Sequence, residues 1–321
     1  MPLTKKIIII TTGGTIASSK SAGSGFLQSG VIDGTELANR MLVNKGFNYK
    51  TIELFNLPSA HLTLEHLKEI ALKIKEVFKD KTVGGVVITH GTDTLEETAY
   101  FLSLTTNDER PIVLTGSQLP PFEQGSDALN NFTDALTVAV NSKSMHKGVL
   151  VVFNKKIFVA TEVVKLHSAD VDGFVAPASG PIGHLDRRGE IFYERTVQKQ
   201  RKYSIENLSA RVFLIKFALG MGSELLDVAL QNYADGLVLE GFGTGQIPLQ
   251  ALDAVREALN RKIPVVLTTR CIQGGIKYVY DYPGSAHQLK QMGVIIAEEL
   301  SAEKACLKLI LALGSNLPFD E

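Results

Sequence analysis

The fold is decided by the stretch Lys5–Ala17, which reads KKIIIITTGGTIA. Its four consecutive isoleucines, Ile7–Ile10, predict a strand buried on both faces, as at the centre of a parallel sheet. The two glycines that follow allow close approaches that a Cβ would block. The hydroxyl of Thr15 is then expected at the carboxyl end of the strand, where open α/β sheets place their ligands. Taken alone, the stretch fits a nucleophile or a substrate-binding turn, but it slightly favours a buried strand with an ordinary glycine turn. A dinucleotide-binding loop is disfavoured because no G-x-G-x-x-G is present.

The composition is that of a globular chain without marked charge. The length of 321 residues predicts about two domains, and 45% hydrophobic residues allow a sizeable core. Balanced counts of 33 basic and 34 acidic residues do not favour nucleic acid or an acidic membrane as a partner. Cys271 and Cys306 fit no metal or redox spacing, which favours thiols in a reducing compartment. No apolar leader precedes the first strand and no run approaches the roughly 20 residues of a membrane helix, so a cytoplasmic protein is expected.

A second informative stretch is Gly84–Thr98, which reads GGVVITHGTDTLEET. Its apolar part predicts another buried strand, and the turn that follows places Thr92 and Asp93 at the carboxyl end of that strand. A capping-box pattern, Thr94-x-x-Glu97, predicts that a helix begins there. The N–H groups and dipole of that helix would favour an anionic substrate group or an oxyanion beside the turn. The ordinary alternative for Asp93 is a helix-capping aspartate.

Strands and helices alternate along two blocks of the chain, which predicts an α/β fold with two open, mostly parallel sheets. Residues 1–190 are assigned to a larger N-terminal catalytic domain, 191–211 to a polar linker and 212–321 to a smaller C-terminal domain. Further strands are predicted at Thr51–Leu57, Ile112–Thr115, Gly148–Phe153, Ile157–Ala160, Val212–Phe217, Gly236–Glu240, Val265–Thr268 and Gly293–Ala297. Further helices are predicted from about Thr63 and at Ser126–Val140, Ser223–Gln231, Pro248–Leu259 and Ala302–Leu313.

Hydroxyls, a carboxylate and an amine can together perform nucleophilic acyl transfer. Thr15 and Thr92 supply hydroxyls at two strand ends, Asp93 the carboxylate and Lys165 a candidate amine. A threonine hydroxyl is a weak nucleophile at neutral pH, so it needs a neighbouring base and donors for the oxyanion. Lys165 fits a surface charge equally well, and it suits a base only if it is buried near hydroxyls. His90 fits a hydrogen-bonded turn histidine better than a base.

The two informative stretches resemble the signature segments of bacterial-type L-asparaginases and glutaminase-asparaginases. The matching segments are Thr12–Ala17 (TGGTIA) and His90–Thr98 (HGTDTLEET), and the likeness extends over nearly the whole chain. The resemblance implies an asparaginase-like fold with most of the site on the larger N-terminal domain. It also implies a tetramer of intimate dimers, in which the smaller domain of a neighbouring subunit closes each site. No metal or organic cofactor is implied.

The resemblance also implies a role for individual residues. Thr15 matches the primary nucleophile, and Thr92, Asp93 and Lys165 match a second triad. Asp93 would also hold the α-amino group of the substrate, and Ser59 its α-carboxylate. The backbone at Thr15 and Thr92 would form the oxyanion hole.

Three positions depart from the family pattern, and a fourth matches it only loosely. The family's flexible loop normally carries a tyrosine beside the nucleophile, and the nearest equivalent here is Phe26. After the serine that holds the α-carboxylate stands Ala60, whose side chain cannot form a hydrogen bond. In the part contributed by the neighbouring subunit, Thr244 replaces an asparagine and Asp281 matches the acidic residue loosely. A tyrosine of Tyr278–Tyr282 is a hypothetical substitute for the missing one.

The sequence therefore predicts a cytoplasmic amidohydrolase that converts L-asparagine to L-aspartate and ammonia through a threonine acyl-enzyme. The expected partners are a small amide and further copies of the chain, as a homodimer or homotetramer. One alternative is a different small amide, in a pocket remodelled at Phe26 and Ala60. Another is a non-catalytic ligand-binding or assembly protein, although such a protein need not retain a proton relay. A Rossmann-like oxidoreductase is a more remote alternative.

Overall fold

The computed structural model describes residues 5–20, 27–28 and 48–319. The described residues divide into two compact units, one ending at Lys202 and the other beginning at Tyr203. This division falls inside the predicted linker of 191–211. The first residues of that predicted linker, Ile191–Tyr193, form a strand in the sheet of the first unit.

The first unit is built on an eight-stranded mixed sheet. The described strands of the first unit, inside and outside this sheet, are β1 (Lys6–Gly13), β2 (Ser19–Lys20), β3 (Leu27–Gln28), β4 (Tyr49–Leu57), β5 (Val83–Thr89), β6 (Ile112–Thr115), β7 (Val149–Phe153), β8 (Lys156–Val159), β9 (Val164–Lys165), β10 (Phe174–Val175), β11 (Gly183–Leu185) and β12 (Ile191–Tyr193). Its described helices are α1 (Leu64–Val77), α2 (Leu95–Thr105) and α3 (Ala128–Val140). The strand order is β12-β11-β8-β7-β6-β5-β1-β4. The strands from β4 to β7 run parallel, whereas β8, β11 and β12 are added by antiparallel pairing. The pairs β2–β3 and β9–β10 form separate two-stranded antiparallel sheets.

Strand β1 is buried on both faces, as the isoleucine run predicts. Ile7–Ile10 are between 0% and 4% exposed. Ile7 and Ile9 lie in a core cluster with residues of α3, and the alternation of a strand directs Ile8 and Ile10 to the other face. Burial of four isoleucine side chains contributes on the order of 6–12 kcal/mol before conformational entropy is subtracted. The strand that carries Thr15 at its end is thus a rigid support.

The order of the strands reverses at β1. The chain passes from β1 to its neighbour β4 on one side, and then to β5 on the other side. In open α/β sheets, the crevice outside the carboxyl ends of the strands at such a reversal is the usual ligand site. The turns after these three strands carry Thr15, Ser59 and Thr92.

The second unit has a four-stranded parallel sheet. Its strands are β13 (Val212–Lys216), β14 (Gly236–Gly241), β15 (Val265–Thr269) and β16 (Ile295–Ile296), which follow one another in sheet order. Its described helices are α4 (Glu224–Gln231), α5 (Leu252–Asn260), α6 (Ala286–Gln291) and α7 (Ala302–Ser315). The helix predicted at Pro248–Leu259 begins as a 3₁₀ turn, Leu249–Ala251, and continues as α5. Within the described parts of both units, no helix is both long and apolar enough to cross a membrane.

The capping-box prediction at Thr94 is wrong, although α2 does begin directly after it at Leu95. No side-chain hydrogen bond caps this helix. The Thr94 hydroxyl instead donates to the carbonyl oxygen of Ser59 at 2.9 Å, because the turn after β4 offers an acceptor. The residue therefore joins two turns at the carboxyl edge of the sheet.

Candidate active site

Two glycines with positive φ bring the turn after β1 against its neighbours. Gly13 has φ 104° and Gly14 has φ 89°, both in the region that favours glycine. A Cβ on Gly13 would lie 2.4 Å from a backbone oxygen at the end of β4, and one on Gly14 would lie 2.5 Å from the Cα of Gly91. Side chains at these positions would therefore collide with backbone. The glycine pair holds Thr15 beside the turn that follows β5.

Thr15 is half-buried in a 3₁₀ turn, Thr15–Ala17. Ser18, which is buried, closes this turn. Its backbone N–H donates to the Thr15 carbonyl at 3.0 Å, and its hydroxyl donates to the Gly14 carbonyl at 3.1 Å. The prediction that Phe26 stands in for the loop tyrosine lies outside the described residues.

Thr92, Asp93 and Lys165 come together on the other side of the strand reversal. The Lys165 Nζ donates to the Thr92 Oγ1 at 2.9 Å and to the Asp93 Oδ1 at 2.8 Å. Thr92 is 5% exposed, and the side chains of Lys165 and Asp93 are 14% and 65% exposed. Lys165 is thus a mostly buried amine beside a hydroxyl rather than a surface charge. The ion pair neutralises the charge of the Lys165 ammonium group, while the Asp93 carboxylate remains exposed to solvent.

Lys165 reaches this place on the hairpin β9–β10, in which it pairs with Phe174. Its backbone N–H donates to the Glu96 Oε2 at 2.5 Å. Sequence reasoning did not single out Glu96, because an acidic residue in the first turn of a helix is expected to favour the helix dipole. The contact ties the hairpin to α2, which follows directly after Thr92 and Asp93.

Gln118 also escaped the sequence prediction. It lies in the loop after β6, and its Oε1 accepts the Thr92 hydroxyl at 3.3 Å. Its backbone N–H donates to both carboxylate oxygens of Asp127, at 3.2 and 3.1 Å. Asn131 donates to the same carboxylate at 2.8 Å and to the Gly116 carbonyl at 3.1 Å. In the sequence, Gln118 is marked only by its position two residues after Gly116, which follows the end of β6.

His90 is a turn histidine held inside the protein. It is 0% exposed, its Nδ1 lies 2.7 Å from the Gly91 carbonyl, and its Nε2 lies 2.9 Å from the Thr98 Oγ1. Burial lowers its pKa from 6.5 to about 4. The imidazole is therefore neutral near pH 7, and it supports the turn that carries Thr92.

Ser59 and Ala60 occupy a 3₁₀ turn after β4. Ser59 is 4% exposed, and a Cβ on Gly91 would lie 2.7 Å from its Oγ. The serine thus packs directly against the turn between His90 and Thr92. Ala60 is exposed, and it brings no polar side-chain atom to this edge of the sheet.

Thr244 and Asp281 lie in the second unit. The Thr244 Oγ1 accepts the side-chain amide of Gln246 at 2.8 Å, and the Asp281 Oδ1 accepts that of Gln288 at 3.1 Å. Over residues 5–20, 27–28 and 48–319, no group of three or more His, Cys, Asp or Glu side chains could hold a metal ion. Among the described residues, neither the exposed Cys271 nor the half-buried Cys306 forms a disulfide bond.

Comparison with known proteins identifies both halves of the chain. Residues 6–199 match the family model "Asparaginase, N-terminal", and residues 211–321 match "Glutaminase/Asparaginase C-terminal domain". The chain is 39% identical over 313 residues to an L-asparaginase of Bacillus licheniformis, covering 98% of this chain and 97% of that protein. It is 31% identical to a glutamyl-tRNA(Gln) amidotransferase component of Methanosarcina barkeri, over 98% of this chain and 76% of the relative. The solved structure of a probable cytoplasmic L-asparaginase from Campylobacter jejuni superposes with a TM-score of 0.85 at 32% identity, covering 98% and 96% of the two chains.

Proposed function

The chain belongs to the asparaginase family of amide hydrolases, and on that premise we propose that it hydrolyses L-asparagine to L-aspartate and ammonia through an acyl-enzyme on Thr15. The observation that carries the proposal is the placement of the Lys165 Nζ, within 2.9 Å of both the Thr92 Oγ1 and the Asp93 Oδ1. This is the amine, hydroxyl and carboxylate set that a proton relay needs.

In the proposed reaction, the Thr15 Oγ forms a bond to the amide carbon and the C–N bond breaks. The oxygen of Thr92 accepts the hydroxyl proton of Thr15, and the hydroxyl hydrogen of Thr92 passes to the nitrogen, which leaves as ammonia. The Lys165 ammonium group, held by Asp93, donates to the Thr92 oxygen during this transfer. Water then attacks the ester, releases the carboxylic acid and restores the Thr15 hydroxyl. Covalent catalysis of this kind divides one difficult displacement into two easier ones.

Substrate recognition is assigned to the polar groups around the same edge of the sheet. The exposed part of the Asp93 carboxylate would receive the α-amino group, and Ser59 the α-carboxylate. Backbone N–H groups at Thr15 and Thr92 would stabilise the oxyanion. Each assignment rests on the family likeness, and that of Ser59 is also supported by its packing against the turn after β5.

One observation favours a second candidate, which is a related small amide. Ala60 is exposed and cannot form a side-chain hydrogen bond, so the residues proposed to bind the α-amino and α-carboxylate groups of a free amino acid lack one polar partner. A missing partner of this kind costs about 1–3 kcal/mol of binding, or roughly 5- to 150-fold in affinity. Glutamine is the first alternative to test, since one relative is named for glutamyl-tRNA(Gln) amidotransfer.

The proposal includes self-association as a homodimer or homotetramer, with Thr244 and Asp281 of a neighbouring copy completing the site. It also includes a cytoplasmic location, supported by the name of the Campylobacter jejuni neighbour. Sedimentation velocity measures the assembly, and cell fractionation measures the location. Full activity of a monomer would show that Thr244 and Asp281 of a neighbouring copy are not needed in the site.

Ammonia release tests the reaction. Wild type, Thr15→Ala and Thr92→Ala are compared on L- and D-asparagine, L-glutamine and simple amides. We expect L-asparagine to be the best substrate and each variant to lose at least about 100-fold in kcat. The absence of release from every amide would defeat the enzyme proposal, and full activity of Thr92→Ala would remove Thr92 from the mechanism.

A further inference from the structure

We propose that Gln118 is a positioning residue that fixes the direction of the Thr92 hydroxyl proton and so prepares the Thr92–Lys165 pair for proton transfer. The inference rests on the proposed function, because it assigns a part to Gln118 within that relay. Gln118 lies on the loop after β6, a segment that supplies none of the residues placed in the relay above.

The hydrogen-bond chain has one consistent direction. An ammonium group only donates, so the Lys165 Nζ must be the donor in its 2.9 Å bond to the Thr92 Oγ1. Thr92 has a single hydroxyl hydrogen, and the oxygen of Gln118 lies 3.3 Å away to receive it. The hydrogen of Thr92 therefore points to Gln118 in the resting protein, while a lone pair of Thr92 faces Lys165.

The orientation of the Gln118 amide is fixed by a second group. Its Nε2 donates to the His167 carbonyl oxygen at 3.4 Å, and a carbonyl oxygen can only accept. Gly173 borders the same amide so closely that a Cβ there would lie 2.6 Å from the Nε2. The nitrogen of Gln118 thus faces the hairpin β9–β10, which leaves its oxygen for Thr92. One side chain consequently contacts both Thr92 and the segment that carries Lys165.

The backbone of Gln118 is held independently of its side chain. Asp127 is 8% exposed and accepts the N–H groups of Gln118 and Leu119, and the latter bond measures 3.0 Å. Asn131 holds the other side of that carboxylate. The loop is therefore preorganised before any substrate enters, as a positioning role requires.

The two bonds of Thr92 differ in length, and the difference fits a transfer role. The bond to Gln118, at 3.3 Å, is longer and weaker than the 2.9 Å bond from Lys165. The hydroxyl hydrogen can therefore turn from Gln118 to a substrate atom at small cost, while Lys165 stays bonded to the oxygen. Without Gln118, the hydroxyl of Thr92 would have no fixed rotor position around its C–O bond.

The test compares Gln118→Met with Gln118→Glu. Methionine keeps the length of glutamine and removes the oxygen acceptor, whereas glutamate keeps an acceptor oxygen and removes the N–H donor. We expect Gln118→Met to lower kcat for ammonia release roughly 5- to 10-fold with KM within about twofold, and Gln118→Glu to retain more kcat than Gln118→Met. A role in packing alone gives the opposite order, because methionine fills the space and glutamate adds a charge. That order, or a kcat of Gln118→Met within twofold of wild type, overturns the proposal.

A second measurement does not depend on turnover. The Thr92 hydroxyl proton, identified by the absence of its NMR signal in Thr92→Val, should be observable in wild type and lost in Gln118→Met. A signal that persists in Gln118→Met overturns the proposal even if no amide is hydrolysed. If wild type releases ammonia from no amide, the proposed function fails and this signal alone decides the role of Gln118. Thermal unfolding checks the fold of each variant, and Gln118→Ala replaces Gln118→Met if that variant does not fold.

Discussion

Replacement of Lys165 by methionine removes the amine from the relay and leaves most of its aliphatic stem. Its Nζ contacts both the Thr92 Oγ1 and the Asp93 Oδ1, so one change separates the three groups. A positioned acid or base contributes about 10²- to 10⁴-fold to a rate, which corresponds to about 2.7–5.5 kcal/mol of barrier. We expect kcat of Lys165→Met to fall within that range.

The same change should affect stability only slightly. The Asp93 side chain is 65% exposed, so water replaces the lost ammonium group and no charge is left buried. Ion pairs with such access to solvent contribute about 0–1 kcal/mol to folding. In a protein of this size, a Tm lowered by no more than about 4 °C is the expected result.

The assay is ammonia release from L-asparagine together with thermal unfolding, and Lys73→Met is the matched control. The Lys73 Nζ lies 2.6 Å from the Glu76 Oε2 on α1 in the same unit, and the two side chains are 28% and 63% exposed. Lys73→Met should keep kcat within about twofold, because it removes a similarly exposed ion pair on a helix that carries no residue of the relay. A folded Lys165→Met whose kcat lies within tenfold of wild type would refute the relay.

Three further outcomes follow from the described contacts. As the pH is lowered from about 6.5 to about 4, the free energy of unfolding should decrease, because burial lowers the pKa of His90 to about 4 and the unfolded chain therefore binds a proton first. The decrease should approach about 3 kcal/mol when stability is measured by urea titration. It should be absent in His90→Gln. Gly14→Ala should lower the free energy of unfolding by about 3 kcal/mol or more, because the added Cβ would lie 2.5 Å from backbone atoms. Gly125→Ala is the control: Gly125 has φ 81° but open space around it, so the same change should lower the free energy of unfolding by only about 1 kcal/mol. Equal decreases in Tm for the two variants would contradict this reasoning. Arg195→Lys removes the bidentate ion pair with Glu162 and should lower the free energy of unfolding by about 1–2 kcal/mol. It should also lower kcat, because that pair holds the start of the segment leading to β9. An unchanged kcat would show that the segment keeps its position without the pair.

The parts of the fold that could be predicted from the sequence are those with local causes. The run Ile7–Ile10 has no polar position and consists of β-branched residues, so it favours a strand covered on both faces, which the structure shows. Parallel strands end at one edge of a sheet, and this places the turns with Thr15 and Thr92 together without knowledge of any side-chain contact. The family, which the comparisons confirm, was recognised from these two stretches, and the two-domain α/β fold was predicted from the alternation of strands and helices along the chain.

The rest of the site depends on contacts between residues distant in sequence. Lys165 lies 73 positions from Thr92, and nothing in its own surroundings distinguishes it from a surface lysine. Gln118 lies 26 positions from Thr92, and its role depends on which way one amide group faces. At Thr94 the local rule failed because its side chain is directed to a tertiary acceptor, the Ser59 carbonyl, and not to the N–H groups of the helix. Short-range patterns contain none of these competitions.

The two sides of the candidate site are held by different kinds of interaction. The turns with Thr15 and Thr92 are held by glycine contacts with backbone on the ends of buried strands, which leaves them little freedom. Lys165 instead lies on a hairpin of only two residue pairs, and a hairpin that short is not stable alone. Its position is set by polar contacts from α2 and from the loop after β6.

This difference decides where distant substitutions should act. A change in the glycine turns meets a rigid backbone and appears first as lost stability. A change in the contacts that hold the hairpin moves the amine without unfolding the sheet, so it appears first as lost kcat. Glu96 is the clearest case, because its carboxylate accepts the backbone N–H of Lys165. If the proposed relay operates, we therefore expect its rate to depend on residues that do not contact the substrate, in addition to the motif residues.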